Sequence, residues 1–249
     1  MYSLITGASS GIGRAMALEL AKRGSDLILV ARRENELIAL KDQINQQYKV
    51  DVVIKVKDIS KVENCKQLYS EVLSYQPYFV INNAGFGRVG LFSEIDLDTE
   101  LSMIDTNIVA VQVLTKLFVN SMTDGVILNV SSIAGMLPTP LMATYAATKS
   151  YVLNFSRAIN QELKISKSKL RVISLNPGPV ITEFGKVAQT TQKMQGMSAE
   201  RCAKIAIKGL LKRKSVIVPG FMMKVMRFLV KFLPIGIVMP VAYKIQNKK

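Results

Sequence analysis

The sequence predicts an α/β fold of the doubly wound Rossmann type, a three-layer sandwich in which helices cover both faces of a parallel sheet of about seven strands. Apolar runs of strand length alternate with longer segments that have helical spacing along the 249 residues. The runs are nearly all apolar, which is typical of strands buried on both faces. A glycine-rich turn joins the first run to the first helical segment. These three observations favour one large domain with a parallel sheet at its centre.

Strands and helices are predicted in alternation along the chain. The strands are expected at 2–6, 26–31, 51–57, 78–82, 125–130, 170–176 and 215–218. The helices are expected at 11–24, 34–48, 61–75, 98–121, 143–166 and 199–213. Because no repeat or long linker divides the chain, residues 1–249 are predicted to form a single domain. Its core is expected at 1–200, and the basic C-terminal helices at 201–249 belong to the domain or lie at its periphery.

A polar segment at 183–198 differs from the apolar units on either side of it. It contains the run Gln189-Thr190-Thr191-Gln192-Lys193 and the pair Gln195-Gly196. A lid over a binding site and a plain surface loop both fit this composition, which alone favours the surface loop.

The composition excludes several kinds of chemistry. The chain has no histidine, which rules out Ser-His-Asp hydrolysis, zinc chemistry of the His-Glu-x-x-His type and phosphohistidine transfer. The two cysteines, Cys65 and Cys202, lie far apart and form neither a disulfide framework nor a zinc motif, so no metal site is expected. An acid or base must therefore be tyrosine, lysine, cysteine or a carboxylate. Reduced thiols also fit a cytoplasmic location.

The glycine-rich turn runs from Thr6 to Gly13, at the point where the first strand leads into the first helix. Gly7 permits a tight turn, Gly11 lets a phosphate approach the backbone, and Gly13 allows the helix to pack closely on the strand. The free N–H groups and the positive end of the helix dipole would then face a pyrophosphate. A glycine turn alone is often an ordinary strand–helix connection, but its place at the start of a βαβ series favours dinucleotide binding.

Together with later motifs, this turn resembles the cofactor fingerprint of the short-chain dehydrogenase/reductase family. Asn82-Asn83-Ala84-Gly85 follows the fourth strand, and Tyr145 and Lys149 form a Tyr-x-x-x-Lys pair. Ser132 precedes Tyr145 by thirteen residues, and Asn107 occupies the position of the family's active-site asparagine. Asn176-Pro177-Gly178-Pro179-Val180-Ile181-Thr182 matches the loop that closes over the nicotinamide. The resemblance covers residues 2–182 in the family's order.

The resemblance implies an oxidoreductase that acts on CH–OH groups with NAD(P), with Asn107, Ser132, Tyr145 and Lys149 as catalytic residues. Tyr145 and Lys149 share a helix face, and the ammonium together with an oxidised nicotinamide is expected to lower the tyrosine pKa. Tyr145 would then act as general acid and base, and Ser132 would hydrogen-bond the carbonyl oxygen. By resemblance, Asn107 would hold a water that connects Lys149 to solvent.

The cofactor-binding residues implied by the resemblance come from six segments of the chain. They are Gly7, Ser9, Ser10, Gly11, Ile12, Gly13, Arg14, Arg32, Arg33, Asp58, Ile59, Asn83, Ala84, Gly85, Tyr145, Lys149, Pro177, Gly178, Val180 and Thr182. Asp58 matches the position that bonds the adenine amino group, although a simple turn aspartate is an alternative. Asn82 and Gly85 are expected to combine structural and binding roles.

The choice between NADP and NAD depends on the end of the second strand. Ala31 stands where NAD-dependent enzymes place a carboxylate, and Arg32 and Arg33 follow it. Arg14 could reach the same place, and a guanidinium suits a phosphate. NADP(H) is therefore preferred and NAD is the alternative. The competing interpretation is that the two arginines lie in solvent and pair with Glu34.

Three functional hypotheses fit this sequence. The first is an NADP(H)-dependent reductase with an apolar substrate, which would contact Met136, Leu137, Leu141, Met142 and Phe184. The second is a catalytically silent dinucleotide-binding regulator, which would not need an intact Ser132, Tyr145 and Lys149. The third is a membrane-surface scaffold. Assembly as a homodimer or homotetramer is expected through 98–121 and 143–166, as in related enzymes.

The C-terminal segment carries most of the net charge of +15. No acidic residue follows Glu200, whereas twelve basic residues do: Arg201, Lys204, Lys208, Lys212, Arg213, Lys214, Lys224, Arg227, Lys231, Lys244, Lys248 and Lys249. Residues 221–233 are predicted to form an amphipathic helix that ends at Pro234. This helix, as part of the segment 221–249, could lie on an anionic membrane, or it could pack over the substrate pocket or a partner subunit. Nucleic acid is not expected, because no recognition motif is visible.

Overall fold

The computed structural model describes residues 1–190, 196–230 and 232–247, and the side chains of Arg227 and Ile245 lie outside this description. Nine strands are described in these ranges: β1 Tyr2–Thr6, β2 Asp26–Ala31, β3 Val52–Val56, β4 Phe79–Asn82, β5 Val126–Val130, β6 Arg171–Leu175, β7 Val180–Ile181, β8 Met197–Ser198 and β9 Val216–Ile217. The α-helices are α1 Gly11–Ala21, α2 Glu34–Gln47, α3 Val62–Val72, α4 Leu97–Ile104, α5 Ala110–Ser121, α6 Ala143–Ile165, α7 Phe184–Val187, α8 Ala199–Leu211, α9 Phe221–Leu229 and α10 Ile235–Gln246. Short 3₁₀ turns lie at Leu73–Tyr75 and Ile133–Met136.

A seven-stranded parallel sheet in the order β3-β2-β1-β4-β5-β6-β9 forms the centre of the domain. The predicted fold class is confirmed, and all seven predicted strands are present. The strand order runs outward from β1 to β3 and then outward again from β4 to β9. The order reverses between β1 and β4, and ligands of open α/β sheets bind at the carboxyl ends of the strands at such a point.

Helices bury both faces of this sheet, as the apolar runs predicted. Successive strand residues point to opposite faces, so neighbouring residues enter different cores. On one face, Ile5, Leu29 and Ile81 pack with side chains from α1, α2 and α8. On the other, Leu4, Ile28 and Val80 pack with side chains from α3, α5 and α6. The inner strands of the sheet are therefore buried between two helical layers, whereas the edge strand β3 is partly exposed.

The predicted helix at 98–121 is two α-helices joined by a π-helical stretch, Asp105–Val109. Asn107 lies in this stretch, and π-helical bulges within helices often mark functional sites. Leu97–Ser121 is the one helical stretch in the described ranges that is long and apolar enough to cross a membrane. The buried residues Ala110, Leu114 and Phe118 pack it against the sheet, as in a core helix of a globular domain.

The C-terminal segment differs from its prediction. The amphipathic helix expected at 221–233 is α9, which ends at Leu229, and a second helix follows at Ile235–Gln246. The sequence predicts only that Pro234 ends the first of these helices. Pro234, however, is the N-cap of α10, where its missing N–H costs no helical hydrogen bond, and the helix includes Pro240.

The polar segment 183–198 contains α7 and the short strand β8, which pairs with β7. Of the polar run that the sequence singled out, residues 191–195 lie outside the described ranges. The same holds for Lys231, Lys248 and Lys249 of the basic segment.

Candidate active site

The predicted site residues meet at the carboxyl edge of the parallel sheet. The glycine turn follows β1, and Asn83 to Gly85 follow β4. Ser132 follows β5, and the loop from Pro177 follows β6. Because parallel strands end at one edge, residues far apart in sequence form one cleft.

A set of hydrogen bonds joins the glycine turn to the turn after β4. The Thr6 hydroxyl accepts from the backbone N–H groups of Asn83 (3.0 Å) and Ala84 (3.1 Å). The Asn83 amide donates in return to the carbonyls of Thr6 (3.0 Å) and Gly7 (3.2 Å). The side chain of Asn83 therefore holds the two turns together and fixes the shape of the cleft floor.

The glycines of the turn leave no space for side chains. Gly7 and Gly11 have φ values of +65° and +54°, a region that L-residues rarely adopt. A Cβ on Gly13 would lie 2.3 Å from the Gly7 carbonyl oxygen. Ser10 is the N-cap of α1, and its side chain makes no cap hydrogen bond. The exposed N–H groups at this helix start fit the pyrophosphate of a dinucleotide.

Arg33 is the predicted arginine that contacts the glycine turn. Its guanidinium donates to the Ser9 hydroxyl at 3.2 and 3.3 Å and forms a 3.0 Å ion pair with Glu183. Arg33 therefore pairs with Glu183 and not with Glu34, the partner that the competing interpretation named. Glu183, just after the loop 177–182, was missed because 150 residues separate it from Arg33.

The other two predicted arginines lie elsewhere. Arg14 donates to Gln43 of α2 at 2.6 Å, and its charge helps to lower the pKa of Glu200 of α8. Its place on α1 directs Arg14 toward α2 and α8, and the expectation that it reaches the end of β2 stays a prediction. Arg32 is exposed.

Asp58 forms a turn of its own after β3. One carboxylate oxygen accepts from the Ser60 backbone N–H at 3.1 Å, which makes an Asx turn. The backbone carbonyl of Asp58 accepts from Asn64 at 2.8 Å, and Ile59 is buried beside it. Asp58 is therefore a turn aspartate in this structure, and its contact with adenine stays a prediction.

Tyr145 and Lys149 lie on one face of α6, as predicted, and both are buried. The Lys149 ammonium donates to the carbonyl of Val130, at the end of β5, at 2.9 Å. It lies 5.8 Å from the centroid of the Tyr145 ring. Ser132 caps the short turn after β5 and accepts from the Ala134 N–H at 3.1 Å, and its hydroxyl lies close enough to the Tyr145 phenol to lower the pKa of that phenol. The structure therefore brings these three predicted side chains together.

Burial dominates the ionisation of these groups. It raises the pKa of Tyr145 to about 12, opposed by the hydrogen bond from Ser132. It also lowers the pKa of Lys149 to about 8. The prediction that the Lys149 ammonium and an oxidised nicotinamide together lower the tyrosine pKa concerns the site with cofactor bound and stays a prediction; in the protein alone, burial has the larger effect. The prediction counted the neighbouring charge and the nicotinamide charge, and omitted the cost of burying a phenolate.

Asn107 ties the π-helical stretch to the cleft. Its amide donates to the Phe86 carbonyl (2.9 Å) and the Thr148 hydroxyl (3.1 Å), and its oxygen accepts from the Phe86 N–H (3.1 Å). A Cβ on Gly85 would lie 2.7 Å from that oxygen and 3.2 Å from the Lys149 ammonium. Asn107 and Lys149 therefore border the same small space, which only a glycine at 85 leaves open.

Apolar side chains surround the Tyr145 ring. Phe184 of α7 lies with its ring centroid 5.4 Å away, and Met142 is buried in the same cluster. Met136 and Leu137 line a neighbouring groove of about 660 Å³ between α6 and the C-terminal helices. Leu141 has a left-handed backbone (φ +64°), and its carbonyl accepts from the Gly90 N–H. Of the predicted apolar set, Met142 and Phe184 therefore contact the site most directly.

The loop after β6 closes the cleft on its remaining side. The Pro177 carbonyl accepts from the Ile133 N–H at 3.0 Å, which holds the loop against the Ser132 turn. Val180 is buried in β7, and Thr182 faces Gly11 across the cleft. A Cβ on Gly178 would lie 2.7 Å from the Met223 sulfur, so α9 packs directly on this loop.

Comparison with known proteins agrees with this geometry. A family model described as short chain dehydrogenase matches residues 2–212. The very-long-chain 3-oxoacyl-CoA reductase of Mus musculus is 34% identical over 214 residues, which are 83% of this chain and 67% of that protein. The hydroxysteroid dehydrogenase-like protein 1 of Gallus gallus is 34% identical over 230 residues, 88% of this chain and 68% of that protein.

The fold is also similar to solved structures. A short-chain dehydrogenase from Sphingobium yanoikuyae in complex with NADPH superposes with a TM-score of 0.81 at 28% identity, over 94% of this chain and 96% of that one. This chain spans about two thirds of the length of the curated relatives it matches. Given the family match over 2–212, the chain belongs to the short-chain dehydrogenase/reductase family of oxidoreductases, as its motifs indicated.

Proposed function

We propose that this protein is an NADP(H)-dependent oxidoreductase that interconverts a carbonyl and a secondary alcohol on an apolar substrate. The observation that carries the proposal is the meeting of Ser132, Tyr145 and Lys149 beside the glycine turn. A protein that only senses dinucleotides would need none of these three side chains. The catalytically silent regulator is therefore the weaker alternative.

The contacts of Arg33 support NADP(H) over NAD(H). Its guanidinium and the Ser9 hydroxyl lie together beside the glycine turn, close to the end of β2. A guanidinium with a neighbouring hydroxyl suits the 2′-phosphate of NADP, whereas NAD-dependent enzymes place a carboxylate near this position. The solved relative from Sphingobium yanoikuyae binds NADPH.

The chain's own residues account for the proton transfer. When bound, the cofactor supplies the hydride. The Ser132 hydroxyl and the Tyr145 phenol hydrogen-bond the substrate oxygen, and Tyr145 donates its proton to that oxygen as negative charge develops. A pKa of about 12 keeps the phenol protonated at neutral pH, as reduction requires. Lys149 and the space beside Asn107 provide a route by which the phenol is reprotonated.

An apolar carbonyl compound fits the surroundings of Tyr145. Phe184 and Met142 flank the phenol, so a polar group next to the reacting carbon would lose its hydration without compensation. Long-chain 3-oxoacyl thioesters are one such class, in agreement with the name of the Mus musculus relative.

The test is activity with NADPH on a panel of apolar ketones and 3-oxoacyl thioesters, for the wild type and the Tyr145→Phe variant. We expect the variant to lose about 10²–10⁴-fold in kcat, the typical contribution of general acid catalysis. Binding of NADPH, followed by its fluorescence, should change little.

Tyr151→Phe is the matched control. This tyrosine lies on the same helix, and its hydroxyl donates to Gln112 outside the cleft. Its variant should keep full activity. Equal activity of Tyr145→Phe and wild type would overturn the assigned role, and an inactive wild type that binds NADPH would favour the regulator.

The proposal also covers localisation, assembly and contact with a membrane. The protein is proposed to be cytoplasmic, to form a homodimer or homotetramer through 98–121 and 143–166, and to contact an anionic membrane surface through 221–249. Exposed Leu97 and Leu101 on α4 support the assembly. One domain over 1–249 is likewise proposed.

A further inference from the structure

The two C-terminal helices carry a dense set of exposed apolar side chains. Soluble monomers rarely leave such groups contiguous, and larger patches mark interaction sites. Within 221–243 the exposed large apolar residues are Phe221, Met222, Phe228, Leu229, Phe232, Leu233, Ile235, Ile237, Met239, Val241 and Tyr243. Phe221, Phe228 and Phe232 are 80%, 62% and 70% exposed.

Helix α9 has an inner and an outer side. Met223, Met226 and Val230 are half-buried at helical spacing, and Met223 packs on Gly178. Phe221, Met222, Phe228 and Leu229 are exposed on the remaining surface. The helix is thus attached to the body of the protein by one stripe and presents an apolar face outward.

The charge around this face has one sign. Lys224 and Lys244 are exposed among the apolar residues, and the sequence has no acidic residue after Glu200. Basic residues beside exposed apolar groups complement the negative surface of an anionic bilayer. A second copy is less suited, because a two-fold contact would bring the same cations of both chains together.

The lengths of the helices exclude a span. Helix α10 has 12 residues and so reaches about 18 Å, well short of a hydrocarbon core of about 30 Å. The two helices can therefore lie in the plane of the interface but cannot cross it.

We propose that α9 and α10 dock in-plane on an anionic bilayer and that docking places the catalytic cleft beside the lipid surface, so that the substrate is a carbonyl compound dissolved in the membrane. The position of the cleft follows from α9, which packs on the Gly178 loop and contacts the 133–136 turn next to Ser132. The statement about the substrate rests on the proposed function, whereas the docking does not.

Docking is tested by flotation of the full chain with vesicles of phosphatidylcholine, with or without phosphatidylglycerol. We expect flotation with the anionic vesicles only. The Phe228→Glu/Phe232→Glu double variant should lose at least about ten-fold in vesicle affinity, because charges replace inserted rings. Ile165→Glu is the matched control. Ile165 is 72% exposed at the end of α6, away from the C-terminal helices, so its substitution should not change vesicle affinity.

Several results would overturn docking. They are no flotation of wild type, equal flotation with neutral vesicles, or unchanged flotation of the double variant. A wild type that is dimeric without lipid, with a monomeric double variant that does not float, would assign this face to a second copy instead.

The statement about the substrate is tested with one lipophilic ketone embedded in the vesicles and one small water-soluble ketone. We expect the double variant to lose about ten-fold in rate on the embedded ketone and to keep its rate on the soluble one. Equal rates on the embedded ketone would overturn the link to the membrane. Loss of turnover on both ketones in the wild type, with flotation intact, would instead refute the proposed function.

Discussion

Lys149 carries its amine in a place where a charge is costly. The side chain is 5% exposed, and a single backbone carbonyl, that of Val130, accepts its hydrogen bond among the contacts described. Burial lowers its pKa from 10.5 to about 8, so the folded protein releases this proton more easily than the unfolded chain. A lysine that is buried although burial destabilises its charged form is typical of a functional site.

This burial predicts a specific dependence of stability on pH. Between pH 8 and 10 the unfolded chain keeps a proton that folded Lys149 has released, so the free energy of unfolding should rise with pH. Relative to a Lys149→Met variant, the rise should total about 2 to 3 kcal/mol. Above pH 10, Tyr145 begins to titrate in the unfolded chain, which closes the useful window.

Urea unfolding of both proteins at several pH values measures this difference. Lys66→Met, at an exposed position of α3, serves as control and should track the wild type. Parallel curves for wild type and Lys149→Met would show that Lys149 ionises like an exposed lysine.

Arg33 is predicted to determine the choice of cofactor. Replacing it with alanine removes a charged donor beside Ser9, worth about 1.5–3 kcal/mol toward a phosphate. NADPH binding should weaken about ten- to hundred-fold, while NADH binding, which lacks the 2′-phosphate, should stay within about two-fold. Titration of NADPH and NADH fluorescence measures both.

The neighbouring Arg32→Ala variant is the control for Arg33. Arg32 is exposed at the same strand end, so its removal tests whether net charge alone explains the effect. If both variants lose NADPH affinity equally, Arg32 contributes as much as Arg33 does, and the Arg33 contact does not by itself determine the preference.

At the scale of elements, the π-helical stretch between α4 and α5 is a structural support of the site. Asn107 within it bonds both backbone groups of Phe86 and the hydroxyl of Thr148. Asn107→Ala should therefore lower the free energy of unfolding by about 1–3 kcal/mol, the cost of leaving buried polar groups unpaired. Chemical denaturation measures this loss.

Asn154→Ala offers a comparison on the exposed side of α6 and should change stability by less than about 0.5 kcal/mol. A similar small effect for Asn107→Ala would mean that the π-helical stretch is held by its apolar packing and not by this amide.

The elements of the sheet could be predicted because each strand is a short apolar run whose character does not depend on context. The first helix is similarly clear, since Ile12, Met16 and Leu20 define one apolar side. The contact of Arg33 with Glu183 could not be predicted, because it depends on how a loop after β6 returns to the end of β2. Helix α10 was not predicted, because a proline such as Pro234 commonly follows the end of a helix, although it also suits a helix start.

The pKa of Tyr145 also could not be predicted from the sequence. Spacing placed Tyr145 and Lys149 on one helix face correctly. The direction of the tyrosine pKa depends on how deeply the ring is buried, and Phe184 and Met142, which bury it, come from two separate segments. Depth of burial is a tertiary property that spacing along one helix does not encode.

At the scale of the whole molecule, the chain divides into a cofactor cradle and a basic extension, α9 and α10, which packs on the loop after β6 and on the 133–136 turn. The cradle is built from turns at the carboxyl edge of the sheet, whereas the extension contacts it through Met223 on Gly178. The charged side chains of the extension are all basic, because no acidic residue follows Glu200. Binding of the dinucleotide and contact with a surface are therefore expected to be separable properties.

This separation predicts the response of thermal stability to cofactor. NADPH at one hundred times its Kd should stabilise the folded state by about 2.7 kcal/mol, because it binds only the assembled cradle. For a chain of this size the shift in Tm should be about 5–10 °C. NADH at the same concentration should give a smaller shift, since it lacks the phosphate that Arg33 would contact.

The Phe228→Glu/Phe232→Glu variant should show the full NADPH shift, because its substitutions lie on the exposed side of the extension. A thermal melt followed by circular dichroism measures all three shifts. An NADPH shift that disappears in that double variant would mean that the extension is part of the cofactor site, and the two properties would then be coupled.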